Sequence, residues 1–218
     1  YLHSIFFTDA DNGWAVGGPS YFKTTNGGTT WESLSPGTTE YLRSVYFIDA
    51  NIGWAVGTYG TIMKTTDGGM NWIPQNSGRY EELFSVHFEN ANIGWVVGNN
   101  GLILKTTDGG NTWITQSYLV YGRLKSVCFV DVYKGWAISE SGAIIKTVNG
   151  GANWVKEESG RGGNLTSVSF IDANTGWAAG SGGTILKYRR TPIDTGYELE
   201  DEGKITIEIT GESGATFI

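Results

Sequence analysis

Four glutamates, Glu40, Glu81, Glu82 and Glu140, lie in segments that also carry cations and phenols: Arg43, Arg79, Arg123, Lys125 and Arg161, with Tyr41, Tyr59, Tyr80 and Tyr121. A pair of carboxylates could hydrolyse a glycoside, one acting as acid and the other as base or nucleophile. Arginines among tyrosines could instead form a contact surface for another protein, because a guanidinium offers a planar fork of donors and a phenol joins apolar area to a polar tip. Metal chemistry has less to draw on. His3, His87 and Cys128 stand far apart in the chain, and no nucleophile elbow or phosphate-binding glycine loop leading into a helix occurs. Neither a metal nor a cofactor is expected. Which chemistry applies depends on how the chain positions these groups.

The positioning elements are repeats. Trp14, Trp54, Trp95, Trp136 and Trp177 each follow a glycine, at spacings of 40, 41, 41 and 41 residues. Trp31, Trp72, Trp113 and Trp154 form a second series at a constant 41. The words before the first series also recur, as in SVYFIDANI (44–52) and SVSFIDANT (167–175), so five units fill residues 1 to about 190. Each unit reads as short apolar or alternating runs bounded by glycine and Asx turns, which predicts four strands and no helix. A unit of about 40 residues with four strands has the length of one propeller blade. The fold expected is therefore all-β: a β-propeller of five four-stranded blades over 1–190, with a short C-terminal β tail over 191–218.

The tail is acidic and carries −6 of the net charge of −7, so the repeats are nearly neutral. No basic stripe supplies the phosphate-neutralising charge that nucleic-acid binding needs. No apolar run is long enough to span a membrane. The fifth unit lacks a tryptophan-bearing fourth strand; KITIEIT (204–210) could supply it, or the tail could begin a separate β domain. The incomplete blade could also accept a strand from a neighbouring chain, which makes self-assembly and a structural role in a surface assembly open alternatives.

In DANIGW the Asx residue (Asp9, Asp49, Asn90, Asp131, Asp172) is expected to bond backbone two residues on, with the later glycine at positive φ. In TTDGGMNW, Thr65 and Asp67 are expected to tie down a hairpin while Gly68 and Gly69 take the strained positions. This second phrase resembles the Asp box, S/T-x-D-x-G-x-T-W, of sialidases and other propellers, where it looks like a brace away from the active site. Its matches are TTNGGTTW (24–31), TTDGGMNW (65–72), TTDGGNTW (106–113) and TVNGGANW (147–154). A sialidase-like site would need three arginines on one carboxylate, and YRRTP (188–192) is a poor echo of that family's arginine motif.

The whole phrase, SVxFxDAxxGWAVGxxGTILKTTDGGxTW, resembles the repeat of the photosystem II assembly or stability factor family, whose photosynthetic members are similar to seven-bladed rings. The resemblance implies a non-enzymatic protein-binding or assembly module with an arginine-rich recognition patch. It also implies a location outside the cytoplasm: secreted, periplasmic, on the cell surface, or in the thylakoid lumen.

Because all nine tryptophans fall in the two repeating columns, they read as packing between blades and not as a sugar platform. Lys23, Lys64, Lys105, Lys146 and Lys187 recur likewise, as a repeated ion pair or a surface position with a buried stem. Recognition is expected where the units disagree. That face would present Pro19, Tyr59, Asn99, Asn100 and Glu140 from short turns, and Tyr41, Arg43, Arg79, Tyr80, Tyr118, Tyr121, Arg123, Lys125 and Arg161 from blade linkers. The partner-binding set is Arg43, Arg79, Arg123, Lys125, Arg161, Tyr41, Tyr59, Tyr80 and Tyr121.

Overall fold

Runs of four to six residues closed off by glycine can form only short strands, and a computed structural model, which describes residues 1–116, 122–157 and 163–189, shows them as successive antiparallel meanders. The first sheet holds β1 (Ser4–Phe7), β2 (Gly13–Gly17), β3 (Ser20–Thr24) and β4 (Glu32–Leu34); the second holds β5 (Leu42–Phe47), β6 (Gly53–Gly57), β7 (Ile62–Thr65) and β8 (Ile73–Gln75). The third is β9 (Leu83–Phe88), β10 (Gly94–Gly98), β11 (Ile103–Thr106) and β12 (Ile114–Thr115); the fourth is β13 (Leu124–Phe129), β14 (Gly135–Ser139), β15 (Ile144–Thr147) and β16 (Val155–Glu157). The fifth has three strands among the described residues, β17 (Leu165–Asp172), β18 (Thr175–Gly180) and β19 (Ile185–Arg189). Tyr118, Tyr121, Arg161 and the tail over 191–218 lie outside the described residues.

The sheets are propeller blades. Consecutive first strands β1, β5, β9, β13 and β17 lie against one another and line the axis. An apolar cluster fills each junction between neighbouring blades. At every junction the tryptophan of one blade's second strand stacks on a phenylalanine of the next: Trp14 on Phe47, Trp54 on Phe88, Trp95 on Phe129 and Trp136 on Phe170, with ring centroids 3.4 to 3.7 Å apart. Three of these indoles also donate Nε1–H to a turn carbonyl of the next blade, Trp14 to Gly68, Trp54 to Gly109 and Trp95 to Gly150, at 3.0, 3.3 and 3.1 Å. The fifth unit lacks the glycine turn that would receive Trp136, and its buried Nε1–H has no partner among the described residues. A serine on each of the first four blades' first strands accepts a bond from the next blade's backbone, as Ser85 does from the Val127 amide at 3.3 Å.

The turns carry out the bonding expected of them. Asp49 Oδ1 accepts from the Asn51 and Ile52 amides at 2.7 Å each, and Gly68 and Gly69 hold φ of +69° and +85°. Thr65 donates to Asp67 Oδ1 at 2.9 Å, and the same oxygen accepts the Asn71 amide at 2.9 Å. Asn149 repeats this with its amide oxygen, accepting from Thr147 at 3.1 Å and the Asn153 amide at 2.9 Å, which is why asparagine serves in two units.

Two expectations need correction. The glycine before each first-series tryptophan is not at positive φ among the described residues. A Cβ on Gly53 would sit 2.5 Å from the Phe47 ring, so glycine is needed there because the stacked phenylalanine lies on the backbone. Of the two alternatives for the strand-three lysines, the ion pair is not what Lys23, Lys64, Lys105 and Lys187 show, since none forms one with a described residue. Each pairs in register with its blade's tryptophan and lies over that ring, Lys64 at 5.3 Å from the Trp54 centroid with Nζ also donating to Gly109 O at 2.9 Å. Burial lowers the Lys105 pKa from its ordinary value.

Candidate functional site

The meander puts two kinds of loop on opposite faces. On one face the repeated turns bond to one another within each of the first four blades, as Gly68 N does to Asn51 O at 2.8 Å. On the other, each short turn between second and third strands is tied to the linker entering its own blade or the next. Thr58 N donates to Tyr41 O, Gly60 N to Glu81 O, Asn99 N to Glu82 O and Glu140 N to Arg123 O, at 2.8 to 3.0 Å. This second face is where the units differ in sequence.

A cleft of about 890 Å³ opens there, lined by Glu40, Tyr41, Tyr59, Tyr80, Glu81 and Glu82 together with Thr39, Thr58, Asn99 and Asn100. Tyr41, Tyr59 and Tyr80 are exposed. Glu40 is fixed by the Thr58 hydroxyl, which donates to Oε2 at 2.9 Å, and the Tyr80 amide donates to Glu81 Oε2 at 3.2 Å. Tyr59 and Asn100 hold φ of +53° and +57°, the two non-glycine residues with positive φ among the described residues. Asparagine tolerates that region, but a tyrosine there is strained by of order 1–3 kcal/mol. The equivalent residue of the fifth blade is Gly182, at φ +68°.

Among the described cations, Arg43, Arg79, Arg123 and Lys125 do not form one free patch. Arg43 and Lys125 sit on the axial strands β5 and β13 and not on linkers, in a column with His3, Phe84 and Thr166. Arg43 Nη2 lies 2.6 Å from Glu82 Oε1, its Nε donates to the same oxygen at 2.8 Å, and Nη1 lies 2.9 Å from His3 Nε2. Burial and the Arg43 charge lower the His3 pKa below its ordinary 6.5. Lys125 covers the Phe84 ring at 4.0 Å, and burial lowers its pKa despite the nearby Glu140. Arg123 reaches Glu140 at 3.6 Å and Asn99 Oδ1 at 3.2 Å. Arg79 turns outward to the Thr115 hydroxyl on β12. Arg43, Arg79 and Arg123 thus meet different partners, and no three-arginine clamp forms among the described residues.

Reading the sequence by turns and linkers found the tyrosines and arginines but missed Phe84, Thr166 and His3. The signal for this column was present: each precedes the serine of the SVxF word by one position. A second axial column, Phe6, Tyr46, His87 and Cys128, is largely apolar packing; burial drives Tyr46 up to about 12 and raises Cys128 as well. Among the described residues no cluster of His, Cys, Asp or Glu is arranged to hold a metal ion, and no helix is long and apolar enough to cross a membrane.

Five meander sheets around a common axis, each built from the same repeat, define a β-propeller. The chain belongs to the family described as photosynthesis system II assembly factor YCF48, which matches residues 31–119 and 115–189. Among solved structures, YCF48 from Cyanidioschyzon merolae superposes with a TM-score of 0.71 at 22% identity, covering 95% of this chain and 70% of that one. YCF48 bound to D1 peptide gives 0.53 at 20% identity, with 86% and 77% covered. An ancestral GH74 enzyme gives 0.69 at 15% identity, with 86% and 29% covered. At these identities the superpositions establish the fold. No curated protein sequence matches the chain.

Proposed function

We propose that the protein is a non-enzymatic assembly or docking module that holds an extended polypeptide segment in the cleft on its variable loop face. The observation that carries this reading is the convergence of three exposed tyrosines and three glutamates in one cleft, with Tyr59 kept there in a strained backbone conformation. Family membership supports a protein partner, since a relative has been solved with a D1 peptide. Tyrosine faces and carboxylates suit a segment bearing lysine or arginine, through ring contact and charge together. Arg43 and Arg123 belong to the same surface as supports, each paired with a glutamate. A location outside the cytoplasm accords with the family.

The experiment is fluorescence anisotropy with a panel of labelled peptides that includes the D1 peptide and sets matched in length but differing in charge. Saturable binding of a cationic peptide, weakened at least tenfold by the Tyr59→Ala, Tyr80→Ala double variant at unchanged melting temperature, is the expected result. Binding that ignores both substitutions, or no peptide retained at all, would remove the assignment. The fold is also shared with GH74 enzymes, and Glu40, Glu81 and Glu82 line one cleft, so a glycosidase is the second reading. Turnover of a chromogenic glycoside that vanishes in Glu81→Gln would replace the docking proposal.

A further inference from the structure

The glutamates of the cleft, Glu40, Glu81 and Glu82, are not equally available to a ligand. The Glu40 carboxylate accepts the Thr58 hydroxyl and the Glu81 carboxylate the Tyr80 amide, at 2.9 and 3.2 Å, and neither forms an ion pair among the described residues. Glu82 differs. Arg43 reaches it from the axial strand β5 of the preceding blade, with Nη2 at 2.6 Å and Nε at 2.8 Å, both on Oε1. The two side chains are 28% and 23% exposed, so the pair is partly shielded from water. A guanidinium bonded twice to a carboxylate is a strong, charge-assisted contact. It is also the contact that a basic side chain of a docked segment would seek from Glu82.

The geometry allows the two cations to exchange. Both Arg43 bonds fall on Oε1, and among the described residues no donor reaches Oε2, so an incoming cation has a foothold before Arg43 leaves. No backbone movement is needed, because Leu42 and Leu83, the neighbours of Arg43 and Glu82, are fully buried and Glu82 O holds the Asn99 amide at 2.8 Å. Arg43 also has a second resting point, since Nη1 lies 2.9 Å from His3 Nε2. Burial and the Arg43 charge hold the His3 pKa below 6.5, so at neutral pH the ring is uncharged and Nε2 can accept. The other cations nearby are differently placed. Lys125 lies over the Phe84 ring at 4.0 Å and Arg123 pairs with Glu140, which does not line the cleft.

We infer that Arg43 is an internal competitor in the cleft: it occupies Glu82 in place of a partner's basic side chain, which gains that carboxylate only by displacing it. This role rests on the docking reading above and deepens it, since it makes Arg43 a determinant of selectivity and not a ligand contact. A segment with one basic side chain is served by Glu40 and Glu81 with the pair intact. A segment with two adjacent basic side chains needs Glu82 for the second and must first break the pair. Arg43 therefore biases the cleft toward singly basic segments, by competition against the alternative.

Fluorescence anisotropy on the full chain tests it, with peptides of equal length that carry one lysine or two adjacent lysines. Arg43→Gln should tighten the two-lysine peptide about fivefold and the one-lysine peptide by less than about twofold. Lys125→Gln removes the same charge from the same axial column but frees no carboxylate, so it should tighten both peptides alike and by less than about twofold. Adding Glu82→Gln to Arg43→Gln should cancel the gain. The Arg43 Nε–H resonance, assigned by its loss in Arg43→Gln, should exchange slowly with water in the free protein, and saturation with the two-lysine peptide should move it and speed its exchange. A two-lysine peptide weakened by Arg43→Gln would make Arg43 a ligand contact and overturn the inference. Equal gains from Arg43→Gln and Lys125→Gln, or an Nε–H signal unmoved at saturation, would overturn it too. Those results leave the docking reading in place where binding still depends on Tyr59 and Tyr80. Failure of both wild type and Arg43→Gln to bind any cationic peptide removes the docking reading and this inference together. If Arg43→Gln melts early, Arg43→Met keeps the apolar stem and gives the same reading.

Discussion

The two loop faces are built from the same four-stranded units, yet one is nearly invariant from blade to blade and the other differs in every blade. On the invariant face a Thr hydroxyl, an Asp or Asn oxygen and two left-handed glycines are consumed in closing the hairpin, and the hairpin's carbonyl receives the preceding blade's tryptophan. No side-chain group of that set is left over for a ligand. On the variable face backbone bonds tie each turn to a linker, side chains such as Thr58 with Glu40 add to them, and Tyr41, Tyr59 and Tyr80 stay exposed in the cleft. Repetition therefore marks residues that hold blades together, and irregularity marks residues free to recognise something.

The largest effect expected from this contrast is at the junctions. Trp95→Ala removes a fully buried ring stacked at 3.5 Å on Phe129 and leaves a cavity, so unfolding free energy should fall by about 3–5 kcal/mol in a denaturant titration. A smaller loss is expected for Gly94→Ala, whose Cβ would meet the Phe88 ring at 2.5 Å; repacking should cost about 1–3 kcal/mol by the same titration. On the variable face the sign should reverse. Tyr59→Gly relieves the left-handed strain and should stabilise the chain by about 1 kcal/mol while weakening peptide binding, and a stabilised variant with undiminished binding would break the contrast.

The smallest effect is in acid. Hydrogen bonds from the Thr112 hydroxyl and amide lower the Asp108 pKa from 3.8 to about 2, and bonds from Asn71 lower Asp67 in the same direction. Their stabilisation is complete above the unfolded value near 3.8 and is lost as pH falls through the folded value. Between pH 4 and pH 2 the melting temperature of wild type should therefore drop further than that of the Asp67→Asn, Asp108→Asn double variant. The first and fourth blades already use Asn26 and Asn149 and should be indifferent.

The repeats, the strands and the packing role of both tryptophan columns could be read in the sequence because each is imposed by a local pattern that recurs with one period. Gly53 was misread because its constraint is not local torsion: the Phe47 ring lies on it from the paired strand. For the lysines the sequence left an ion pair and a surface position with a buried stem both open, since pairing in register places Lys64 over Trp54 and no sequence spacing shows that. Arg43 and Arg79 were legible as residues on the variable side, but their directions were not, because Glu82 and Thr115 come to them from other blades. Exposure of Ile5 and Ile185 could not be read at all, as it depends on how far four junctions carry the blades around the axis.

The central claim is that recognition belongs to the variable face. Backbone amide chemical-shift mapping tests it most directly, with isotope-labelled protein titrated by the tightest cationic peptide of the panel. Shifts confined to residues 39–43, 58–60, 80–84 and 99–101 are the predicted result. Shifts centred instead on the repeated turns at 26–30, 67–71, 108–112 and 149–153 would contradict it.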